Sequence, residues 1–217
     1  MNHFRSKLHF ALFVLSVLML ATPIQAATIS TIFSSNNLGS EGGAIYFDIQ
    51  TANTITITGF TTNLYSGNSG AAFTVSIYRT AAGTSYSGSV ADSSLWSLVA
   101  TGTGTAVAEH SPSTIVLSNA FTLSASSLYG LAIGLDRGTG HYYTNGTGSN
   151  QTYSNSDLTL TLGSATNSPF DSDVFSPRVW NGSITYTAAD TATPEPATFA
   201  TLAAGIGLLG LLHRRRA

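Results

Sequence analysis

Through the middle of this chain apolar and polar residues alternate singly, over runs too short to be helices. Phe73, Val75 and Ile77 share one parity against Thr74 and Ser76, and Leu158, Leu160 and Leu162 share one against Thr159 and Thr161. Successive side chains of a strand point to opposite faces, so a period of two builds a sheet with one apolar face. The runs 44–49, 54–64, 73–79, 96–101, 114–117, 128–135, 158–162 and 183–187 all favour extended structure. Glycine and asparagine clusters at 66–70, 82–84, 137–140, 145–148 and 181–182 separate them and supply turns. No window between the two ends of the chain shows a helical period. Many short strands joined by such turns predict an all-β fold, an antiparallel β-sandwich of jelly-roll type. An immunoglobulin sandwich loses its best marker, because the chain has no cysteine.

Two strands carry finer signals. Within 54–64 the apolar parity changes from Ile55 and Ile57 to Phe60 and Leu64, with Gly59 at the switch. A β-bulge there would re-aim the side chains. In 128–135, Leu131, Ile133 and Leu135 form one face, while Ala132 and Gly134 leave the other nearly bare. Such a strand suits a position closely covered on both sides.

The ends read differently. Arg5 and Lys7 precede an apolar stretch over 8–20, and Pro23 and small residues follow it up to Ala26. This is the pattern of a secretory signal peptide over 1–26, helical and cleaved after Ala26. Between 27 and 193 three arginines face nine carboxylates with no lysine, a formal charge of −6. An acidic surface without lysine argues against nucleic acid or anionic lipid as a partner. Without disulfides, the domain predicted over 27–188 must rely on its core, and its length allows one.

After a short Asp/Thr linker at 189–193 come Pro194, Glu195 and Pro196, then the uncharged stretch 197–212, then Arg214, Arg215 and Arg216. At about 1.5 Å per residue the sixteen-residue stretch spans about 24 Å as a helix, short of the roughly 30 Å hydrocarbon core. Snorkelling arginines make up part of the difference, and their charge favours a cytoplasmic C-terminus with Glu195 outside. A buried helix of a soluble domain would need a polar face, and this one is apolar all round.

The Pro-Glu-Pro triplet, the Leu/Ala/Gly-rich span and the arginine cluster, in that order over 194–217, resemble the PEP-CTERM sorting signal of Gram-negative bacteria. The resemblance implies recognition by an exosortase, a temporary hold in the inner membrane, processing near Pro194–Pro196 and delivery to the cell surface or extracellular matrix. It implies nothing about activity. The central region also resembles a group of secreted bacterial β-domains without an assigned activity. That likeness is carried by Gly42-Gly43, Tyr46-Phe47-Asp48-Ile49, Thr58-Gly59-Phe60, Trp96-Ser97-Leu98, Tyr143-Thr144-Asn145-Gly146 and the segment 175–182. It implies a β-sandwich and supplies no site.

Sites of chemistry are sparse. Between the leader and the C-terminal tail the histidines are His110 and His141, and neither a Gly-x-Ser-x-Gly elbow nor a His-Glu-x-x-His motif occurs. No catalytic residue is assigned and no cofactor is expected. Asp171 and Asp173 alternate on a loop and are candidates for calcium, with Asn167 and Asp157 as sequence neighbours. Trp96, Tyr142, Tyr143 and Trp180 are candidates for stacking on sugar rings, although large aromatics are more often core. Arg178 is expected to pair with Asp171 or Asp173, or to stack on an indole. The resulting expectation is an exported surface or matrix protein of structural or adhesive role, not an enzyme. Its expected partners are the export machinery, an exosortase and extracellular polysaccharide. Carbohydrate binding, assisted by calcium, is the alternative, and a secreted hydrolase the remotest.

Overall fold

Leu128–Leu135 is buried along nearly its whole length, and a computed structural model of the protein, which describes residues 26–136 and 138–189, shows why. The strands are β1 (Ala26–Ser30), β2 (Asn37–Leu38), β3 (Ala44–Thr51), β4 (Ile55–Thr62), β5 (Ala72–Thr80), β6 (Trp96–Thr105) and β7 (Ser113–Leu123). They continue with β8 (Leu128–Leu135), β9 (Tyr142–Asn145), β10 (Thr152–Ser154), β11 (Leu158–Thr166), β12 (Val174–Phe175), β13 (Arg178–Trp180) and β14 (Gly182–Ala188). One antiparallel sheet runs β1-β14-β4-β7-β6-β5-β8-β3-β11-β10, with β12 also paired to β11. Strand β8 lies between β5 and β3 near the middle of that path. A smaller sheet orders β13-β9-β2.

The antiparallel all-β expectation holds, but the hydrogen bonding does not divide into the two facing sheets of a jelly roll. One sheet curls until β10 comes back beside β1, a nearly closed barrel. Bulges supply the curvature. Thr58 is skipped in the register of β4 against both β14 and β7, beside Gly59 where the parity changes. Gly163 is skipped in β11 against β3, and a Cβ there would run into the Tyr86 hydroxyl. The seam between the two ends is bridged by side chains. Asn155 Nδ2 donates to the Tyr186 hydroxyl at 2.8 Å, which donates to Asp157 Oδ2 at 2.9 Å.

Curling places one apolar parity of each strand inside. Phe47, Ile57, Phe60, Leu131, Ile133, Leu160, Leu162, Ile184 and Tyr186 meet there. Strand β13 of the small sheet packs over β3 and β11 from the interior, where Trp180 stacks on Phe47 at 5.0 Å with planes 5° apart. The opposite face of β3 and β8 carries a second cluster of Ala44, Tyr46 and Ala132, roofed by Val90, Trp96 and Phe170. Tyr86 lies over Gly130 and Pro169 over Gly134, so the bare face of β8 is closely covered, as its small residues require.

Residues 1–25 of the predicted leader over 1–26 and the apolar stretch 197–212 lie outside the described residues, as do Pro194, Glu195, Pro196 and Arg214–Arg216. Among the described residues no helix is long and apolar enough to cross a membrane. Strand β1 begins at Ala26, the predicted cleavage position, which is exposed. At the other end Ala189 N–H still donates to Thr54 O at 2.8 Å, so the predicted linker begins docked to the domain.

Candidate functional site

Three of the four candidate sugar-stacking rings are core. Trp180 is fully buried, and its Nε1–H donates to Thr62 Oγ1 at 3.1 Å. Trp96 is buried in the second cluster, edge-on to Tyr46 at 5.6 Å, and its Nε1–H donates to Ser89 O at 2.9 Å. Tyr143 is buried on β9 with the Arg178 guanidinium 5.5 Å from its ring centre. None of these three offers a free face to a sugar. Their strands place them in the interior because the curled sheet leaves large rings nowhere drier to go. Tyr142, of opposite parity, is half-buried and lies 5.8 Å from Tyr65, a ring that is 39% exposed.

The calcium candidates do not converge. Asp171 Oδ1 accepts the Asp173 N–H at 3.1 Å and Oδ2 accepts the Ser168 hydroxyl at 3.2 Å, a turn holding itself. Asn167 Oδ1 accepts from Ser40, and Asp157 sits at the far end of β11, where it accepts from Asn53 and Tyr186. A nine-residue strand spans about 30 Å, so Asp157 cannot share an ion with Asp171. Among the described residues no group of three or more His, Asp or Glu side chains gathers to hold a metal. Arg178 pairs with neither aspartate. Its guanidinium lies between the rings of Tyr143 and Phe175, the latter at 5.9 Å, and Nη1 donates to Pro177 O at 2.9 Å.

His141 is wholly buried. Its Nε2 bonds Ile133 O at 3.1 Å and Nδ1 bonds the Thr62 hydroxyl at 3.2 Å. Burial drives its pKa down to about 4, only partly offset by the Ile133 carbonyl. A neutral imidazole with both nitrogens engaged is a structural group.

The polar cluster that the chain does assemble lies elsewhere. The segment before β2, the loop after β4, the loop between β6 and β7, and the start of β9 meet at one end of the barrel. There Glu109 Oε1 accepts the Ser35 hydroxyl at 3.0 Å and lies 3.3 Å from His110 Nε2. His110 Nδ1 lies 3.0 Å from Phe33 O and 3.3 Å from Ser35 Oγ. This superficially resembles a Ser-His-Glu triad. In a triad the acid bonds only the imidazole nitrogen remote from the serine, whereas here the carboxylate takes the serine proton directly. His110 adopts φ +63°, and its N–H donates to Asn63 Oδ1 at 3.0 Å. Asn63 is fully buried and its Nδ2 has no partner. Burial raises the Tyr142 phenol above its ordinary pKa, with the Glu109 charge and Tyr65 adding to it.

Residues 192–217 match the PEP-CTERM protein-sorting motif. The chain carries a PEP-CTERM sorting signal. The match covers Pro194, Glu195 and Pro196, the apolar stretch and the terminal arginines, so it includes every residue predicted to act in sorting. That motif marks an exported protein sorted by an exosortase. No match to a curated protein was found. Tyr65, Glu109 and Asn63 escaped the sequence reading because they stand on different loops; the adjacent Glu109-His110 pair beside Pro112 was the one local signal.

Proposed function

We propose that the protein is an exported surface or extracellular-matrix component whose β-domain has a structural or adhesive role without catalysis. The observation that carries the exported, surface-directed part of this reading is the PEP-CTERM motif at 192–217. In this reading a signal peptide over 1–26 starts export, and the span 197–212 holds the chain in the inner membrane with Arg214–Arg216 inside. Exosortase processing near Glu195 then releases the domain outward. The polar interior supports a passive domain. His141, Thr62 and Trp180 satisfy one another, and the His110 ring is held by a main-chain carbonyl.

Mass spectrometry of the surface fraction tests the proposal. Recovered protein should begin at Ala27 and lack Arg214–Arg216, and Glu195→Ala should accumulate in the inner membrane. Intact protein at the surface, with export indifferent to Glu195→Ala, overturns it.

A further inference from the structure

We infer that the barrel end formed by Tyr65, Tyr142, Glu109 and His110 is a saccharide-binding surface that takes a neutral sugar ring against the two phenols. Tyr65 and Tyr142 stand 5.8 Å apart with planes inclined by 51°, which makes a shallow aromatic corner open on the Tyr65 side. Most aromatic rings of the described domain are turned inward, Trp96, Trp180, Tyr46, Tyr129, Tyr143 and Tyr186 among them. An exposed ring beside a half-buried one therefore departs from the pattern of the chain. Sugar C–H faces stack on such rings, while carboxylates and imidazoles bond the ring hydroxyls and fix orientation.

The polar half of the corner is already arranged. The Glu109 carboxylate is fixed by Ser35 and His110 beside Tyr142, with its side chain 28% exposed, and the His110 ring is 53% exposed. A histidine at φ +63° is strained, and strain of this kind clusters where a side chain must be aimed. Asn63 holds the strained turn by accepting the His110 N–H, and the Nδ2 of the same amide is buried without a partner. Unpartnered buried donors are rare in folded proteins and call for a reason. Charge favours a neutral ligand: among the described residues the corner offers a carboxylate and no arginine, which disfavours an anionic sugar.

The inference deepens the adhesive reading given above and has a separate test. Full-length protein in a zwitterionic, sugar-free detergent is titrated calorimetrically with cellohexaose, xylohexaose, mannohexaose and chitohexaose. At least one should bind saturably with a millimolar or tighter Kd. Tyr65→Ala and Glu109→Gln should each weaken that binding about tenfold or more. Phe175→Ala, at an exposed ring elsewhere, should leave it unchanged. Thermal melts check that each variant is folded, and Tyr65 is exposed enough for its removal to leave the fold intact. Absence of saturable binding across the four sugars, or binding indifferent to Tyr65→Ala, overturns the inference. Correct surface delivery of a protein that binds none of them sinks the sugar site and leaves the sorting reading standing. Sugar binding by a protein that never leaves the inner membrane does the reverse.

Discussion

The Thr62 hydroxyl stands between two buried rings, accepting the indole N–H of Trp180 at 3.1 Å and bonding Nδ1 of His141 at 3.2 Å. The imidazole then uses Nε2–H on the Ile133 carbonyl. One proton direction satisfies every member: indole to hydroxyl, hydroxyl to imidazole, imidazole to main chain. The chain ties β13 to β4 and β8, three strands that are not neighbours in either sheet. Buried polar networks rigidify a core when complete and are costly when one member is missing.

Thr62→Val should therefore destabilise more than its small volume change suggests. It leaves an indole donor and an imidazole acceptor unpartnered, at about 1–3 kcal/mol each, so a total loss of about 3 kcal/mol is expected. Thr62→Ser keeps the hydroxyl and should lose only about 1 kcal/mol for the missing methyl. Urea denaturation of the two variants compares the costs. Equal losses would show that packing, and not the hydroxyl, matters at this position.

His141 makes stability depend on pH. Its folded pKa, about 4, lies below the ordinary 6.5, so the unfolded chain takes up a proton first as pH falls. Stability is complete above 6.5 and is lost progressively toward pH 4, by about 3 kcal/mol at about 1.4 kcal/mol per pH unit. His141→Gln should flatten that slope while keeping a donor for Ile133. Denaturation midpoints measured between pH 4 and 7 decide it: a slope unchanged in the glutamine variant excludes His141 as its source.

Asp48 acts with the opposite sign. Burial raises its pKa above 3.8, although the Tyr86 N–H at 2.8 Å and the Ser85 hydroxyl at 2.7 Å partly restore the charged form. The unfolded carboxyl loses its proton first as pH rises, so this group favours the folded state below 3.8 and opposes it above the folded value. Asp48→Asn can keep the Tyr86 bond through Oδ1 and place its amide toward Ser85. The variant should be at least as stable as the parent at pH 7, with the advantage vanishing below pH 3.8. A variant less stable at neutral pH and equal at low pH would show that the carboxylate is net favourable.

What the residues disclosed follows from how local each signal is. Strand β8 was legible to the residue, and the parity change at Gly59 located a bulge, because both are patterns within one strand. The single curled sheet was not, since alternation names an apolar face without saying which strands share it. Strands β2, β10, β12 and β13 have two or three residues each and sit among turn signals, too short for any period to show. Among site residues, adjacency on a strand puts Tyr142 and Tyr143 on opposite faces, but only the fold tells which face is dry. Tyr65 and Glu109 became neighbours of Tyr142 through loop packing, which leaves no trace in spacing.

The seam of the barrel gives the last prediction. Tyr186 on β14 reaches across to the β10–β11 turn, where its hydroxyl accepts from Asn155 and donates to Asp157. Burial, with the Asp157 carboxylate adding to it, pushes the Tyr186 phenol up to about 12. The unfolded phenol ionises near 10, so the folded state loses stability as pH rises from 10 toward 12. Tyr186→Phe keeps the ring in the core and removes both bridging bonds, which should cost about 1–2 kcal/mol. The loss should be local as well as global, because β1 and β10 approach each other without pairing and this bridge spans the same seam. Amide hydrogen exchange should quicken in β1 and β10 while β8, held by β3 and β5, keeps its protection. Uniform acceleration in all three strands would mean that the seam does not open separately from the rest of the barrel.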